Sequence, residues 1–194
     1  MIVYFMKKES YLKDILVFAL LAIIIVIPIR TFIAQPFLVS GVSMDPTFKT
    51  HDYLIINEIS YYFREPKREE VVVMRYPLDT NTFFIKRIIG LPLETVTVKN
   101  GEIIIINKDN PKGFKIDSKY VIDKHKSFES FSVTLGPTEY FVMGDNRKES
   151  SDSRFWGPLP KKDIIGTPII RLFPFNKIEI KPGNIDSATT TQKN

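Results

Sequence analysis

The sequence predicts a mainly β domain, a coiled antiparallel sheet or barrel, behind a single N-terminal transmembrane helix. Three observations carry that expectation. One uninterrupted apolar run lies near the start, short β-rich runs bounded by turn residues fill the remainder, and no later stretch keeps a helical stripe.

The apolar run is "ILVFALLAIIIVIPI", Ile15–Ile29, which contains no charge. A helix needs roughly 20 residues to cross a hydrocarbon core. The run reaches that length if it continues to Pro36, giving an anchor over 15–36 with Arg30 snorkelling to the interface. A cleavable leader competes with this reading. Cutting after Ala34 would place Phe32 at −3, too large for the small-residue rule, so retention is expected. A buried core helix is disfavoured because nothing polar interrupts the apolar circumference. Lys7, Lys8 and Lys13 before the run, against Arg30 and Lys49 after it, lean towards a cytoplasmic N-terminus over 1–14.

Strand-like runs follow through a domain expected over 37–180. They are "DYLIIN" (52–57), "EEVVVMRY" (69–76), "TFFIKRIIG" (82–90), "ETVTVKNGEIIIIN" (94–107), "SFSVTLG" (130–136), "EYFVMGD" (139–145) and "IIGTPIIRLF" (164–173). "KNG" at Lys99–Gly101 marks a tight hairpin. The polar interval 108–129 reads as an excursion from the main sheet, and 181–194 as a disordered tail.

Composition narrows the chemistry. A chain of 194 residues suits one domain plus an anchor. The 27 basic and 22 acidic residues leave a net charge of +5, dispersed along the chain. That dispersion fits a solvated surface with some attraction to anionic lipid, and not a nucleic-acid face. Cysteine is absent, which excludes disulfides, thiolate metal sites and cysteine nucleophiles.

Ser43 stands in "GVSMDPTF". On its own, a serine between Gly41 and Pro46 reads as a loop residue and not as a nucleophile. The chain has two histidines to activate it. His51 lies at a strand entrance and His125 among lysines in the excursion; both read as surface residues. Lys86 is the other candidate. Strand alternation places it with Phe84 and Ile88 on one face, and Phe83, Ile85, Arg87 and Ile89 on the other. Either its stem covers apolar surface while the head reaches water, or desolvation removes its charge, lowering the pKa by up to ~3–5 units. A neutral amine beside a serine hydroxyl is a competent general base.

Four blocks, "GVSMDPTF", "DYLIIN", "IKRIIGLPLE" and "GDNRKESSDSRFWGPL", resemble in order those of bacterial type I signal peptidases, membrane-bound Ser-Lys proteases. With the apolar segment and the closing "IIG" strand, the resemblance covers about residues 15–175. It implies Ser43 as nucleophile and Lys86 as general base, with Ser150 orienting the amine. Asp145, Asp152 and Arg154 would brace the site by ion pairing, and Gly144 would let the backbone pass close to the reacting centre. Phe37, Val39, Gly41, Met44, Phe84 and Ile85 would contact a substrate added as a strand, with small residues favoured at −1 and −3. Secretory preproteins and the lipid bilayer are the implied partners, the β domain is expected outside the cell membrane, and no metal or cofactor is needed.

Three positions depart from the pattern. Gly41 stands where some members carry an oxyanion-hole serine, leaving the backbone N–H of Ser43 as the chief donor. His51 replaces a usual glycine, and Phe84 stands where tyrosine is also found. Two other readings are weaker. The Ser-Lys autopeptidase fold of the SOS-response repressors would need a DNA-binding domain where this chain has an apolar run. A silent β module binding exported peptides would be free to lose Ser43 or Lys86, and both are present.

Overall fold

The computed structural model describes residues 8–28, 34–126 and 130–184. The first element, α1 (Lys8–Pro28), exposes every described side chain from Tyr11 to Val26 around its whole circumference. Among the described residues, no helix is long and apolar enough to cross a membrane. The expected anchor over 15–36 includes residues 29–33, which lie outside the described residues, as do 185–194 of the expected tail.

The chain then forms β1 (Ala34–Leu38), β2 (Tyr53–Asn57), β3 (Val71–Tyr76) and β4 (Asp79–Gly90). Next come β5 (Thr95–Lys99), β6 (Glu102–Ile106), β7 (Phe114–Lys115), β8 (Phe131–Thr134) and β9 (Glu139–Met143). The last strands are β10 (Leu159–Pro160), β11 (Ile164–Phe173) and β12 (Glu179–Ile180). Two single-turn helices interrupt them, α2 (Ser60–Phe63) and α3 (Ser153–Trp156).

These strands make two antiparallel sheets and no closed barrel, which corrects the barrel expectation. The larger sheet runs β1-β2-β11-β3-β4-β9-β10 with β12 paired to β11; the smaller runs β7-β6-β5-β8. The division falls at Gly90. A Cβ there would stand 2.4 Å from Val96 Cγ2 and 2.8 Å from Leu135 Cδ1, so only glycine lets β4 leave one sheet and pass directly beneath the other. Glu94 then closes the turn, accepting from Leu91 N–H at 2.8 Å and from Asn107 Nδ2 at 2.8 Å. The β5–β6 hairpin turns through Asn100 and Gly101 at φ 50° and 78°, the paired positive angles of a type I′ turn.

Three apolar clusters hold the layers. Met44, Phe48, Leu54, Ile56, Val71 and Val73 pack on one face of the large sheet, and Val72, Met74, Ile88, Val142 and Leu159 on the other. Ile89, Val96, Ile103, Ile105 and Phe141 fill the space between the sheets. "VVVM" in β3 is therefore buried on both faces, which explains why it reads as a continuous apolar run.

The excursion is more integrated than its polarity suggests. β7 pairs with β6, and Ile116 is buried against the small sheet. His125, expected at the surface, is buried, because a turn of 3-10 helix (Asp123–His125) folds it onto the Ser43 loop. His51 is exposed. Its φ of 73° lies in the left-handed region, a physical reason for glycine to be usual there.

Candidate active site

Ser43 lies in the loop between β1 and β2, and its neighbours anchor that loop. Met44 and Phe48 insert into the core, 1% and 0% exposed, and Phe48 N–H donates to Met44 O at 2.9 Å. Val39 N–H donates to Asp52 O, and His51 N–H to Val39 O, both at 2.9 Å. From the loop after β9, Asn146 N–H donates to Ser43 O at 3.0 Å and its Nδ2 to Val42 O at 3.2 Å. The serine is thus presented by a braced loop, with its side chain turned towards β4.

Lys86 meets it there. It sits opposite Val72 of β3, on the same face as Phe84 and Ile88, and is 3% exposed. Its Nζ lies 2.7 Å from Ser43 Oγ and 5.0 Å from the centre of the Phe84 ring. Burial pulls the Lys86 pKa down to about 8; the carboxylates of Asp152 and Asp145 oppose the fall, and Arg154 adds to it. As an ammonium the lysine donates to Ser43 Oγ. As a neutral amine it accepts the hydroxyl proton along the same line.

Gly144 forms the wall behind the dyad. A Cβ there would stand 2.4 Å from Ser43 O and 2.3 Å from Ser150 Oγ, closer than packed atoms approach. We expect Gly144→Ala to displace both serines, lowering preprotein cleavage at least tenfold and stability by about 1–3 kcal/mol in a urea titration. The Ser150 hydroxyl is buried at this wall and makes no hydrogen bond in this geometry.

Two ion pairs flank the wall, arranged differently from a simple bracing cluster. Asp152 holds Arg154, Nε to Oδ1 at 2.7 Å and Nη2 to Oδ2 at 2.9 Å. It also accepts Gly144 N–H at 2.9 Å and caps α3 by accepting Arg154 N–H. Asp145 pairs with Arg87, which the sequence reading did not assign to the site, Nε to Oδ1 at 2.9 Å and Nη2 to Oδ2 at 2.7 Å. Thr47 Oγ1 donates to the same carboxylate at 2.5 Å. Arg87, Thr47 and Asn146 are additions to the expected set. Alternation could separate Arg87 from Lys86, but not name a partner 58 positions away.

A cavity of about 260 Å³ opens beside the dyad, lined by Phe37, Leu38 and Val39 from β1 and its end, by Phe83–Lys86 of β4, and by Ser43. Phe37, Val39, Phe84 and Ile85 of the expected contact set line it. Met44 does not; it is core beneath the loop. Gly41 has φ +100° with open space where a Cβ would be. Its carbonyl accepts from Thr50 Oγ1 at 2.9 Å. Among the described residues, no three His, Asp or Glu side chains gather as a metal site.

Known proteins share this arrangement of sequence. The family described as "Signal peptidase, peptidase S26" matches residues 12–173. The signal peptidase I of Leptolyngbya laminosa is 33% identical over 180 residues, 89% of this chain and 85% of that protein. Signal peptidase I S of Bacillus subtilis (strain 168) is 35% identical over 189 residues, 89% of this chain and 98% of that one. A crystal structure of a signal peptidase I from Enterococcus faecalis V583 has 26% identity and a TM-score of 0.45, covering 54% of this chain and 97% of that one. On the family match and these relatives, the chain belongs to the signal peptidase family, peptidase S26.

Proposed function

We propose that this protein is a signal peptidase I, a serine endopeptidase that removes signal peptides from exported preproteins with Ser43 and Lys86. The observation that carries the reading is a dry amine, titrating at about 8, held 2.7 Å from a serine hydroxyl. Lys86 takes the Ser43 proton as Oγ attacks the carbonyl at −1, then returns it to the leaving amine. Water releases the acylated signal peptide by the same proton route. The Ser43 backbone N–H is the donor for the oxyanion. Ser150, whose buried hydroxyl lies against Gly144, would orient the amine, the role that the family resemblance gives it.

The substrate enters as a strand. β1 pairs only with β2, and β9 joins β4 only from Arg87 onward, so both edges facing the cavity lack a strand partner among the described residues. An extended peptide fills that vacancy with backbone hydrogen bonds. Phe37 and Phe83, with ring centres 5.7 Å apart, narrow the cavity and would reject large side chains at −1 and −3.

The bilayer supplies the second half of the reading. From Ile15 to Val26 α1 is apolar on all sides and its side chains are exposed, Leu16 and Phe18 at 68% and 75%. Such a surface calls for an apolar medium. Held in a bilayer, α1 would anchor the protein with its N-terminus in the cytoplasm and its β domain outside. Sharing a bilayer with the signal peptide raises their effective concentration.

The test uses detergent-solubilised protein and a preprotein with alanine at −1 and −3. The parent is expected to cut after the −1 residue, and Ser43→Ala to be inert. Because the base works as a neutral amine, kcat/KM should climb about tenfold per pH unit below 8 and level off above it. A flat profile from pH 6 to 9 would remove Lys86 from the mechanism.

A further inference from the structure

No step of this cleavage uses the excursion 108–129, yet two of its side chains reach the immediate neighbours of the dyad. The Tyr120 ring lies under the Arg87 guanidinium, 4.1 Å from ring centre to Cζ, with Arg147 at 5.8 Å. Arg87 directly follows Lys86. His125, 7% exposed, places Nδ1 3.0 Å from the Asp45 backbone O and Nε2 3.3 Å from its Oδ2. Asp45 is two residues beyond Ser43. Lys49 and Lys124 approach its carboxylate more loosely, each at 3.9 Å.

The two contacts on Asp45 are chemically specific. A carbonyl and a carboxylate oxygen only accept, so each ring nitrogen must bring its own N–H to be satisfied. A neutral ring satisfies one oxygen and a protonated ring both. The His125 backbone N–H donates to Ile122 O at 2.9 Å, so the turn carrying the imidazole is tied. Met44 and Phe48 fix the Ser43 loop from the core, Asn146 holds it at Val42 and Ser43, and His125 holds it at Asp45.

We infer that the 108–129 excursion is a clamp on the catalytic segments, and that His125 is a positioning residue for Ser43. This rests on the Ser43–Lys86 mechanism proposed above. A dry amine can use the serine only within hydrogen-bond reach, and a shift of about 1 Å costs on the order of 10²-fold in rate. Neither Asp45 nor Arg87, the residues next to the dyad that His125 and Tyr120 contact, lines the substrate cavity. Loss of the clamp should therefore appear in kcat and leave KM alone.

The experiment measures preprotein cleavage by His125→Ala, His125→Asn and, as a control, Lys112→Ala, an exposed change on the same excursion. His125→Ala is expected to lose ten- to a hundredfold in kcat with KM within twofold. The asparagine amide can replace the Nδ1 donor to the Asp45 carbonyl, so His125→Asn should recover most of the loss. Lys112→Ala should match the parent. Parental kcat in His125→Ala, a change confined to KM, or equal losses in both variants with a matching fall in melting temperature would each overturn the clamp. Ser43→Ala and Lys86→Met run alongside separate the two ideas. Cleavage by either of them defeats the dyad whatever His125 does, whereas inert dyad variants with a fully active His125→Ala defeat the clamp alone.

Discussion

Lys86→Met is expected to abolish preprotein cleavage while making the protein more stable. The loss should exceed 10³-fold in kcat, since methionine keeps the length of the side chain and removes the base held 2.7 Å from Ser43 Oγ. The gain follows from the position of the Lys86 pKa at about 8. Between that value and the ordinary 10.4 or so of a free lysine, the unfolded chain holds a proton that the folded chain has released. Stability therefore rises with pH across that window. Below it both states hold the proton and the full cost of burying the charge remains, about 3 kcal/mol at 1.36 kcal/mol per unit. Methionine removes that cost. Urea unfolding at pH 7 should show the variant more stable than the parent, with the gap closing as the pH approaches 10. A destabilised Lys86→Met at pH 7 would mean that the amine is not held against its preference.

Arg87→Met is expected to act in the opposite sense on stability. The Arg87 and Asp145 side chains are 1% and 0% exposed and joined by two parallel bonds. Arg87 Nη1 also donates to Glu69 O and Gly183 O, each at 2.8 Å. Breaking a buried pair by removing one member leaves the other charge uncompensated, at a cost of about 3–5 kcal/mol. In a domain of this size that lowers the melting temperature by about 10 °C. The double variant Arg87→Met/Asp145→Leu should regain much of the loss, because it is the orphaned carboxylate and not the missing bond that destabilises. Thermal unfolding of the two variants together decides this. Equal melting temperatures for the parent and Arg87→Met would show the pair to be inert.

The strands were legible because their signals are local. Alternation in "TFFIKRIIG" separates Lys86 from Arg87, and "KNG" marks the hairpin where Asn100 and Gly101 turn the chain. The division into two sheets was not legible. It depends on Gly90 meeting Val96 and Leu135 in space, and on β11 returning between β2 and β3, contacts that no short window of sequence encodes. Ser43 and Lys86 have no decisive local signature, since a serine in a tight turn and a lysine among apolar neighbours are both ordinary; they could be named because four blocks in order resemble those of a known family. Arg87, Thr47 and Asn146 could not, since each is defined by a partner far along the chain. His125 misled for a related reason. Its neighbours Lys124 and Lys126 are polar, and its partner Asp45 stands 80 positions away.

The edges of β1 and of β4 ahead of Arg87, without a strand partner among the described residues, have a consequence for how fast different preproteins are processed. A ladder between strands is offered only to a chain whose own N–H and C=O groups are unspent. A helical segment has already committed them to itself, and must unwind before it can dock. Two preproteins with the same residues at −1 and −3 would then differ in turnover according to the helicity of the stretch ahead of the cut. A glycine or proline placed a few residues upstream would speed processing without ever touching the enzyme's side chains.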